Sequence, residues 1–595
     1  MHPWVACSTR LNRPIVRHTV AVNALLMAVF AQFGMAQNAF TQPRFPAHLF
    51  APPLDTPLKL SGGFAELRTN HLHGGLDLRT GGVEGKSVYA SADGFIGRIR
   101  VSGSGYGNCL YIVHPSGYTS IYAHLSSFHE PISSWLNRRQ YALQENEIDI
   151  SLSASELPVK KGQVVAFSGN TGSSGGPHLH FEIRHTETEE LINPHWFGLK
   201  VDDGVRPTFE CIEWVAIGRG SLVQGKSTKL RQNPIQESPG HWRVQNEISV
   251  HGSCYVQVKV WDKHSNNELR QGIYKLLLTQ GTDTLYEFQA DRYAHPETRF
   301  ANSVMDFPSK MLNQETLYRL YRAPGNSLGL INSELGDGIL FPAKQEKSTY
   351  TIIATDFWGN QSKCSFTLRS QTAEAPNPDP PAANNYEIMA SPKKSLTIDR
   401  PDLRLFLPAG TLYDALNCPI YVEQGPPSSL SNRYIIGNAR IPVHNYYKLS
   451  IHAPHVSSPL KDKAVVVGPN IKGVNIAHTG TWKADWFETQ VRQLGAFYLA
   501  LDTIPPRISL RNNPKNETIR ANQTLYFTIS DDLSGIKNFN LFVGAYWNKL
   551  TWDAKTSTLS CRIDTNAPKG NQIISLIVVD AVGNEANLKI PVFIP

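Results

Sequence analysis

The chain has 595 residues, a formal net charge of +7, 41% hydrophobic and 10% aromatic residues, and seven cysteines. That length exceeds one domain several-fold, and the composition suits folded domains. The charge is small for the length, and no basic patch interleaved with aromatics stands out, so nucleic acid is excluded as a partner while an anionic polymer such as a cell wall is not.

Residues 1–36 read as an export signal. Arg10, Arg13, Arg17 and His18 form a basic front, residues 20–31 a short apolar core, and Gly34-Met35-Ala36 places small residues where a signal peptidase cuts. The apolar run is broken by Asn23 and Gln32 and is too short for a comfortable span, a retained anchor being the runner-up. No membrane contact is expected after its removal. Residues 37–60, with Pro43, Pro46, Pro52, Pro53 and Pro57, form an extended lead-in.

Residues 61–200 carry the chemistry. His73-Gly74-Gly75-Leu76-Asp77 places a histidine and an aspartate on a loop or short bent strand, because the glycines exclude a helix. Around residue 120 the alternation predicts a strand with Tyr118, Ser120, Tyr122 and His124 on one polar face. Between Leu125 and Gly162 a polar insertion containing Trp135 to Gln140 reads as a short helix or a flap over a cleft. The turn Gly169-Asn170-Thr171-Gly172-Ser173-Ser174-Gly175-Gly176-Pro177 matches G-x-S-x-G by letters. A strand follows it where a serine-hydrolase elbow needs a helix, so the match is chance.

From His178 the sequence alternates again. Leu179, Phe181 and Ile183 face a core, and His178 and His180 project side by side, as one ligand and one base or as two ligands. Glu182 and Arg184 read as a solvated continuation of that face, and His71, His114 and His129 as ordinary histidines. A lone H-x-H on a strand is more often surface polarity than a ligand pair. Three histidine pieces in one order change the odds. Together they offer two nitrogens and a carboxylate oxygen to a borderline metal ion, with two more histidines beside it.

These pieces resemble the signatures of the lysostaphin/LytM family of zinc metallopeptidases: His73 to Asp77, Tyr122-Ala123-His124-Leu125, and His178-Leu179-His180 after a glycine-serine turn. The phrases Tyr89-Ala90-Ser91-Ala92-Asp93-Gly94 and Val159-Lys160-Lys161-Gly162-Gln163-Val164 resemble it too. The resemblance implies an antiparallel β groove of the duplicated-hybrid-motif type. It implies one Zn2+ per chain held by His73, Asp77 and His180, with His124 and His178 acting on the water and the transition state. The implied substrate is the peptide of bacterial peptidoglycan, cut at crosslinks or bridges outside the cytoplasm, in the periplasm or at the cell surface.

The remainder is β by pattern, making the whole chain all-β. Residues 203–370 and 501–595 each close on a hairpin of the form D-x-x-G-N, at Asp356-Phe357-Trp358-Gly359-Asn360 and Asp580-Ala581-Val582-Gly583-Asn584, which predicts immunoglobulin-like sandwiches. Residues 371–387 form a Pro-rich linker, and 388–500 a β-rich domain whose His444, His452, His455 and His478 lack ligand-like spacing. No C-x-x-C occurs, so thiolate zinc sites are excluded, and the odd, scattered cysteines do not read as a disulfide framework. A pair such as Cys211 with Cys254 or Cys364 stays open. The competing function classes are a regulatory protein on an inactive peptidase scaffold, which would lack a ligand, and an adhesion protein led by its β modules. All five site positions are present.

Overall fold

The computed structural model describes residues 45–595 except Asn266, Ser333, 343–346, 372–388, Cys418 and 515–516, and excepting the side chain of Arg219. The expected export signal and nearly all of the expected linker lie outside the described residues. The chain from Ala47 onward forms one compact unit, and it is mostly β.

The first segment, which carries the three histidine motifs, is built on an antiparallel sheet. Its strands run in the spatial order Leu60–Gly62, Leu76–Arg79, His178–His185, Tyr118–Leu125, Asn108–Val113, Gly94–Val101 and Ile148–Ser151. The strand His178–His185 is central, and this position organises the site. On one side His180 lies opposite Asp77, and on the other it lies opposite Ala123. The period-two pattern has the expected physical result: Leu179, Phe181 and Ile183 are fully buried. Phe181 packs edge-on against Tyr122 at 5.3 Å between ring centroids. Truncating such a buried aromatic costs about 3–5 kcal/mol, so the strand that carries the histidines is anchored by its opposite face.

A small sheet of Ser87–Tyr89, Val164–Phe167 and Ser127–Phe128 leads into the glycine-serine turn. The insertion after Leu125 is a helix, Ile132–Leu143. It docks on the end of the chain instead of covering the cleft. Tyr141 packs against Trp547 at 5.2 Å, Asn146 Nδ2 donates to Phe539 O at 2.8 Å, and the Leu550 amide donates to Asn146 Oδ1 at 2.7 Å.

Residues 208–370 contribute ten strands joined in one sheet, threaded by the long strands Thr208–Val223 and Ile248–Trp261. The short strand Arg292–Tyr293 from this segment pairs with Leu191–Ile192 and so belongs to the first sheet. Residues 389–501 form two five-stranded sheets with a common core that includes Leu405, Leu449, Phe487 and Phe497. Residues 507–594 form two four-stranded sheets around Phe527, Leu541, Leu559 and Leu576. Cys211, Cys254 and Cys364 are each buried and free, so the open disulfide pairing is not formed.

Candidate metal centre and active site

The loop that carries His73 must return to the sheet within four residues, and Gly74-Gly75 allows it. A Cβ on Gly75 would overlap the Phe181 carbonyl oxygen, and one on Gly74 would lie 2.5 Å from Glu182 Oε1. The loop therefore lies flat on the central strand and brings His73 beside Asp77 and His180. His73 Nε2 is 3.0 Å from Asp77 Oδ1 and 2.9 Å from His180 Nδ1. His180 Nδ1 is 2.8 Å from Asp77 Oδ1. All three side chains are buried.

The second hydrogen bond of each ligand decides what these atoms can do. His73 Nδ1 faces the Gly63 carbonyl at 2.7 Å. A carbonyl accepts only, so Nδ1 carries the proton and Nε2 a lone pair. His180 Nε2 lies 2.8 Å from Glu182 Oε1 and donates to it, which leaves the lone pair on Nδ1. Arg68 Nη2 donates to Asp77 Oδ2 at 2.5 Å, which leaves Oδ1. Once His180 gives up the extra proton that its two carboxylate partners favour, two imidazole lone pairs and one carboxylate oxygen converge. That donor set fits a divalent cation with nitrogen and oxygen preference, and the partners behind it have the usual role of fixing ring orientation and tautomer.

Glu182 and Arg184 correct the expectation of a solvated face. Glu182 is fully buried, and Arg184 Nε donates to its Oε2 at 2.8 Å. Tyr106 Oη donates to Glu182 Oε1 at 2.5 Å. The signal was present in the sequence, since Glu182 lies two residues past His180 on the same strand face. Arg68, Tyr106 and Thr171 had no comparable signal.

His124 reaches the same place by an irregularity. It has φ of 60°, which side chains other than glycine adopt rarely. Without that residue in the left-handed region, alternation would put His124 beside Tyr122. Tyr122 instead faces the core, its hydroxyl accepting from the Ser91 amide at 2.8 Å. His124 is turned to the opposite face, 4.8 Å from His178 and 5.8 Å from His180 between ring centroids. Its Nδ1 donates to Thr171 O at 2.9 Å. His178 Nδ1 donates to Gly176 O at 2.8 Å. Both rings therefore present Nε2 lone pairs, and His178 Nε2 is buried without a hydrogen-bond partner, 3.3 Å from Asp77 Oδ1.

The electrostatics divide these rings. Burial first, with Arg68 next, pushes His73 down to about 4. Burial, then the neighbouring His180 and His178, pushes His124 down to about 3. For His180 burial alone would lower the value, but its hydrogen bonds to Asp77 and Glu182 outweigh this and hold it up at about 9. Burial would raise the Asp77 carboxyl. The surrounding histidines, His73 foremost, overcome that and hold it well below the usual carboxylate range.

Two clefts meet at the site, sharing Arg68, His124 and Ser173. One, of about 450 Å³, passes His73, Tyr106 and His180, and the other, of about 380 Å³, passes Asp77 and His178. The first is walled in part by Tyr293, His295 and Thr298, from the short strand Arg292–Tyr293 and the 3-10 turn His295–Phe300 after it. His114 is buried and satisfied by Asp93 O and Ser120 Oγ, as expected of an ordinary histidine.

A family model described as peptidase family M23 matches residues 71–141 and 136–194, and one described as a Zu5-like domain matches residues 387–502. The DD-carboxypeptidase/endopeptidase Mpg of Neisseria meningitidis is 37% identical over 118 residues, which cover 20% of this chain and 21% of that protein. The murein hydrolase activator NlpD of Escherichia coli is 32% identical over 123 residues, covering 20% and 24%. The chain thus spans 21–24% of the length of these curated relatives. Among solved structures, the catalytic domain of the antimicrobial peptidase lysostaphin from Staphylococcus simulans is 24% identical, with 22% of this chain and 86% of that chain covered and a TM-score of 0.17. A zinc containing peptidase from Vibrio cholerae is 27% identical, covering 26% and 40%, with a TM-score of 0.19. Residues 71–194 are an M23 peptidase domain of the lysostaphin/LytM kind, and residues 387–502 are a Zu5-like β domain.

Proposed function

We propose that the protein is an exported zinc metalloendopeptidase that hydrolyses peptide bonds of bacterial peptidoglycan. The observation that carries this reading is the convergence of three donor atoms, from His73, Asp77 and His180, beside two histidines whose Nδ1–H groups are bound to backbone carbonyls. The names of the relatives, a DD-carboxypeptidase/endopeptidase and an antimicrobial peptidase, support the substrate class. Among the described residues no helix is long and apolar enough to cross a membrane. The modular division expected from the sequence, with an immunoglobulin-like last module, belongs to the same proposal.

In this reading His73, Asp77 and His180 would hold zinc, which would supply Lewis acidity when bound. The protein's own groups do the rest. His124, held neutral by burial, and His178 each donate Nδ1–H to a backbone carbonyl, so each ring is fixed with Nε2 as its working atom. One of them takes the proton of the water on Nε2 and, as the imidazolium, gives it to the leaving amine, while the other, when protonated on Nε2, steadies the developing oxyanion. The two clefts give a peptide an entry on either side of these rings.

The test is digestion of purified peptidoglycan by the zinc-loaded chain, followed by identification of the new amino termini. One new terminus per cut, at a crosslink or bridge, is expected. A preparation holding one zinc per chain that releases none overturns the reading.

A further inference from the structure

Outside the peptidase site, Asp203, Asp262 and Asp356 bring a carboxylate oxygen each within 4.8 Å of one another. They come from three places. Asp203 lies on the connection leaving the peptidase segment, Asp262 follows the strand Ile248–Trp261, and Asp356 opens the D-x-x-G-N turn after Lys347–Thr355. Asp262 is 3% exposed and Asp356 4%, and the Asp203 side chain has no exposed surface. Three buried carboxylates repel one another, and burial of unpaired charge is costly.

The supply of hydrogen-bond donors does not meet the demand. Asp356 is served by the Asn360 amide at 2.8 Å and by Asn360 Nδ2 at 2.7 Å. Asp203 Oδ1 accepts from the Val205 amide at 2.9 Å. Asp203 Oδ2 and Asp262 Oδ1 are buried without a partner, and so is Gln271 Oε1 beside them. No lysine or arginine pairs with any of the three among the described residues. The nearest basic nitrogen, His264 Nε2, is 4.0 Å from Asp203 Oδ2, and burial holds that ring below its ordinary value, hence neutral. A cavity of about 40 Å³ opens among these acceptors. That is room for one cation and a few waters.

We propose that Asp203, Asp262 and Asp356 bind a divalent cation, calcium, in this cavity. The ligands on offer are carboxylate and amide oxygens without thiolate, the set that hard cations take. The position gives the ion a structural effect. The same cavity is lined by Leu60 and Gly63. Gly63 O is the acceptor that fixes His73, and Gln271 Nε2 donates to Leu60 O at 3.4 Å. The ion therefore ties the sheet after residue 203 to the segment that steadies a ligand of the catalytic metal. The pattern recurs at Asp502, Asp531 and Asp580, where Asn584 Nδ2 donates to Asp502 O at 3.0 Å as Asn360 Nδ2 does to Asp203 O at 3.5 Å. There, backbone amides of Ser534 and Gly535 serve Asp502 and Asp531. The proposal is confined to the first cluster.

The test uses the full chain, stripped of divalent ions and reloaded with one equivalent of zinc. Calcium binding is measured by equilibrium dialysis, and thermal unfolding is followed with and without calcium. Terbium is then added as a luminescent substitute, with Trp358, which lines the cavity, as its sensitiser. Wild type is expected to bind calcium and to melt at a higher temperature with it. Asp262→Asn should weaken calcium binding at least about tenfold and abolish the calcium-dependent shift, while Asp580→Asn keeps both. Should Asp262→Asn fail to fold, Trp358→Phe should lose most of the sensitised terbium emission. No calcium binding by wild type at millimolar concentration, together with a higher melting temperature for Asp262→Asn, would show a shared proton in place of a cation and overturn the proposal. Undiminished calcium binding by both Asp262→Asn and Asp203→Asn would overturn it as well.

Discussion

Lys555, near the end of the chain, sets its ammonium 3.2 Å from the backbone carbonyl oxygen of Ser174, four residues before His178. It also donates to Asn170 O. The turn between these carbonyls supplies Thr171 O, which accepts from His124, and Ser174 Oγ, 3.2 Å from His178 Nδ1. The last sandwich thus buttresses the turn that aims both candidate catalytic rings. Replacing Lys555 by Met should lower kcat about three- to tenfold, because small displacements of positioned groups are costly, with zinc content unchanged. Because Lys555 is exposed, high salt should shrink the difference. Equal kcat for variant and wild type at low salt would show that the turn holds itself.

His124→Ala and His178→Ala are expected to lower turnover by roughly a hundredfold or more, the scale of losing a general acid or base. Neither ring is needed to complete the three-donor set, so zinc stoichiometry and folding should stay near wild type. His73→Ala and His180→Ala should lose the metal. Activity and metal content are to be measured on the same preparations. Parallel loss of zinc in all four variants would mark a closed structural site.

Glu182 accepts the proton that fixes His180 and is itself held by Arg184 and Tyr106. Glu182→Ala should weaken zinc binding about 10- to 100-fold and leave the buried Arg184 guanidinium without its partner. Glu182→Gln should cost less, since an amide oxygen can still accept from His180 Nε2. Competition with a zinc-binding dye would rank the three proteins, and a Gln variant as weak as Ala would show that charge matters here more than acceptance.

How much of this was legible follows from two periodicities. His178 and His180 could be placed because period two holds along their strand, and His73 and Asp77 because glycines exclude a helix there. The groove itself and the buried face of Leu179, Phe181 and Ile183 followed from the same alternation. Alternation puts His124 on one face with Tyr122, whereas the structure sets its ring beside His178 and His180: its left-handed backbone reverses the alternation after Tyr122, and no residue type in Tyr122-Ala123-His124 announces that. Glu182 is visible on the correct face, but its burial depends on Tyr106, brought in by the turn before Asn108–Val113, and on its ion pair with Arg184 along its own strand. Tyr293 and Thr298 lie more than 90 residues beyond the motif and could be linked to it only by the fold.

The metal-free protein holds a proton on His180 at neutral pH, because the folded value is raised to about 9. Zinc takes the Nδ1 lone pair, so metal uptake at pH 7 should release about one proton. Calorimetry in buffers of different ionisation enthalpy reads this directly. The sign for stability follows. A raised histidine stabilises the metal-free fold fully below its unfolded value of about 6.5, and this is lost as pH rises toward 9. His73 and His124, lowered to about 4 and about 3, act oppositely: their contribution is present above about 6.5 and is lost as pH falls. The melting temperature of the metal-free protein should therefore fall on both sides of about pH 6.5. In His180→Ala the alkaline fall should be reduced.

If everything after residue 200 only positioned the enzyme, a fragment ending there would keep its activity on small soluble peptides. The structure argues against this. Leu72, next to ligand His73, is clamped by residues 293–298: Tyr293 Oη and Thr298 Oγ1 each donate to Leu72 O at 3.1 Å, and the Leu72 amide lies 3.1 Å from Thr298 Oγ1. Asn302 Nδ2 donates to Asn70 Oδ1 at 3.0 Å, and Asn70 N donates back to Asn302 Oδ1 at 3.2 Å. Phe64 packs on the buried Tyr293 ring at 5.5 Å, and Leu191–Ile192 pairs with Arg292–Tyr293. Cutting at residue 200 removes one wall of the cleft, exposes Phe64 and Leu72 to water, and frees the loop that holds His73. The fragment should melt well below the full chain, bind zinc more weakly, and hydrolyse soluble crosslinked peptides at least about tenfold more slowly. Thr298→Val in the full chain isolates one part of the clamp, since it removes both Thr298 hydrogen bonds to Leu72 at nearly constant volume. Each lost bond is worth roughly 1 kcal/mol, so the variant should stay folded with weaker zinc binding. A fragment that unfolds cooperatively near the full chain's temperature and cleaves at the full rate would show that the peptidase segment builds its own cleft.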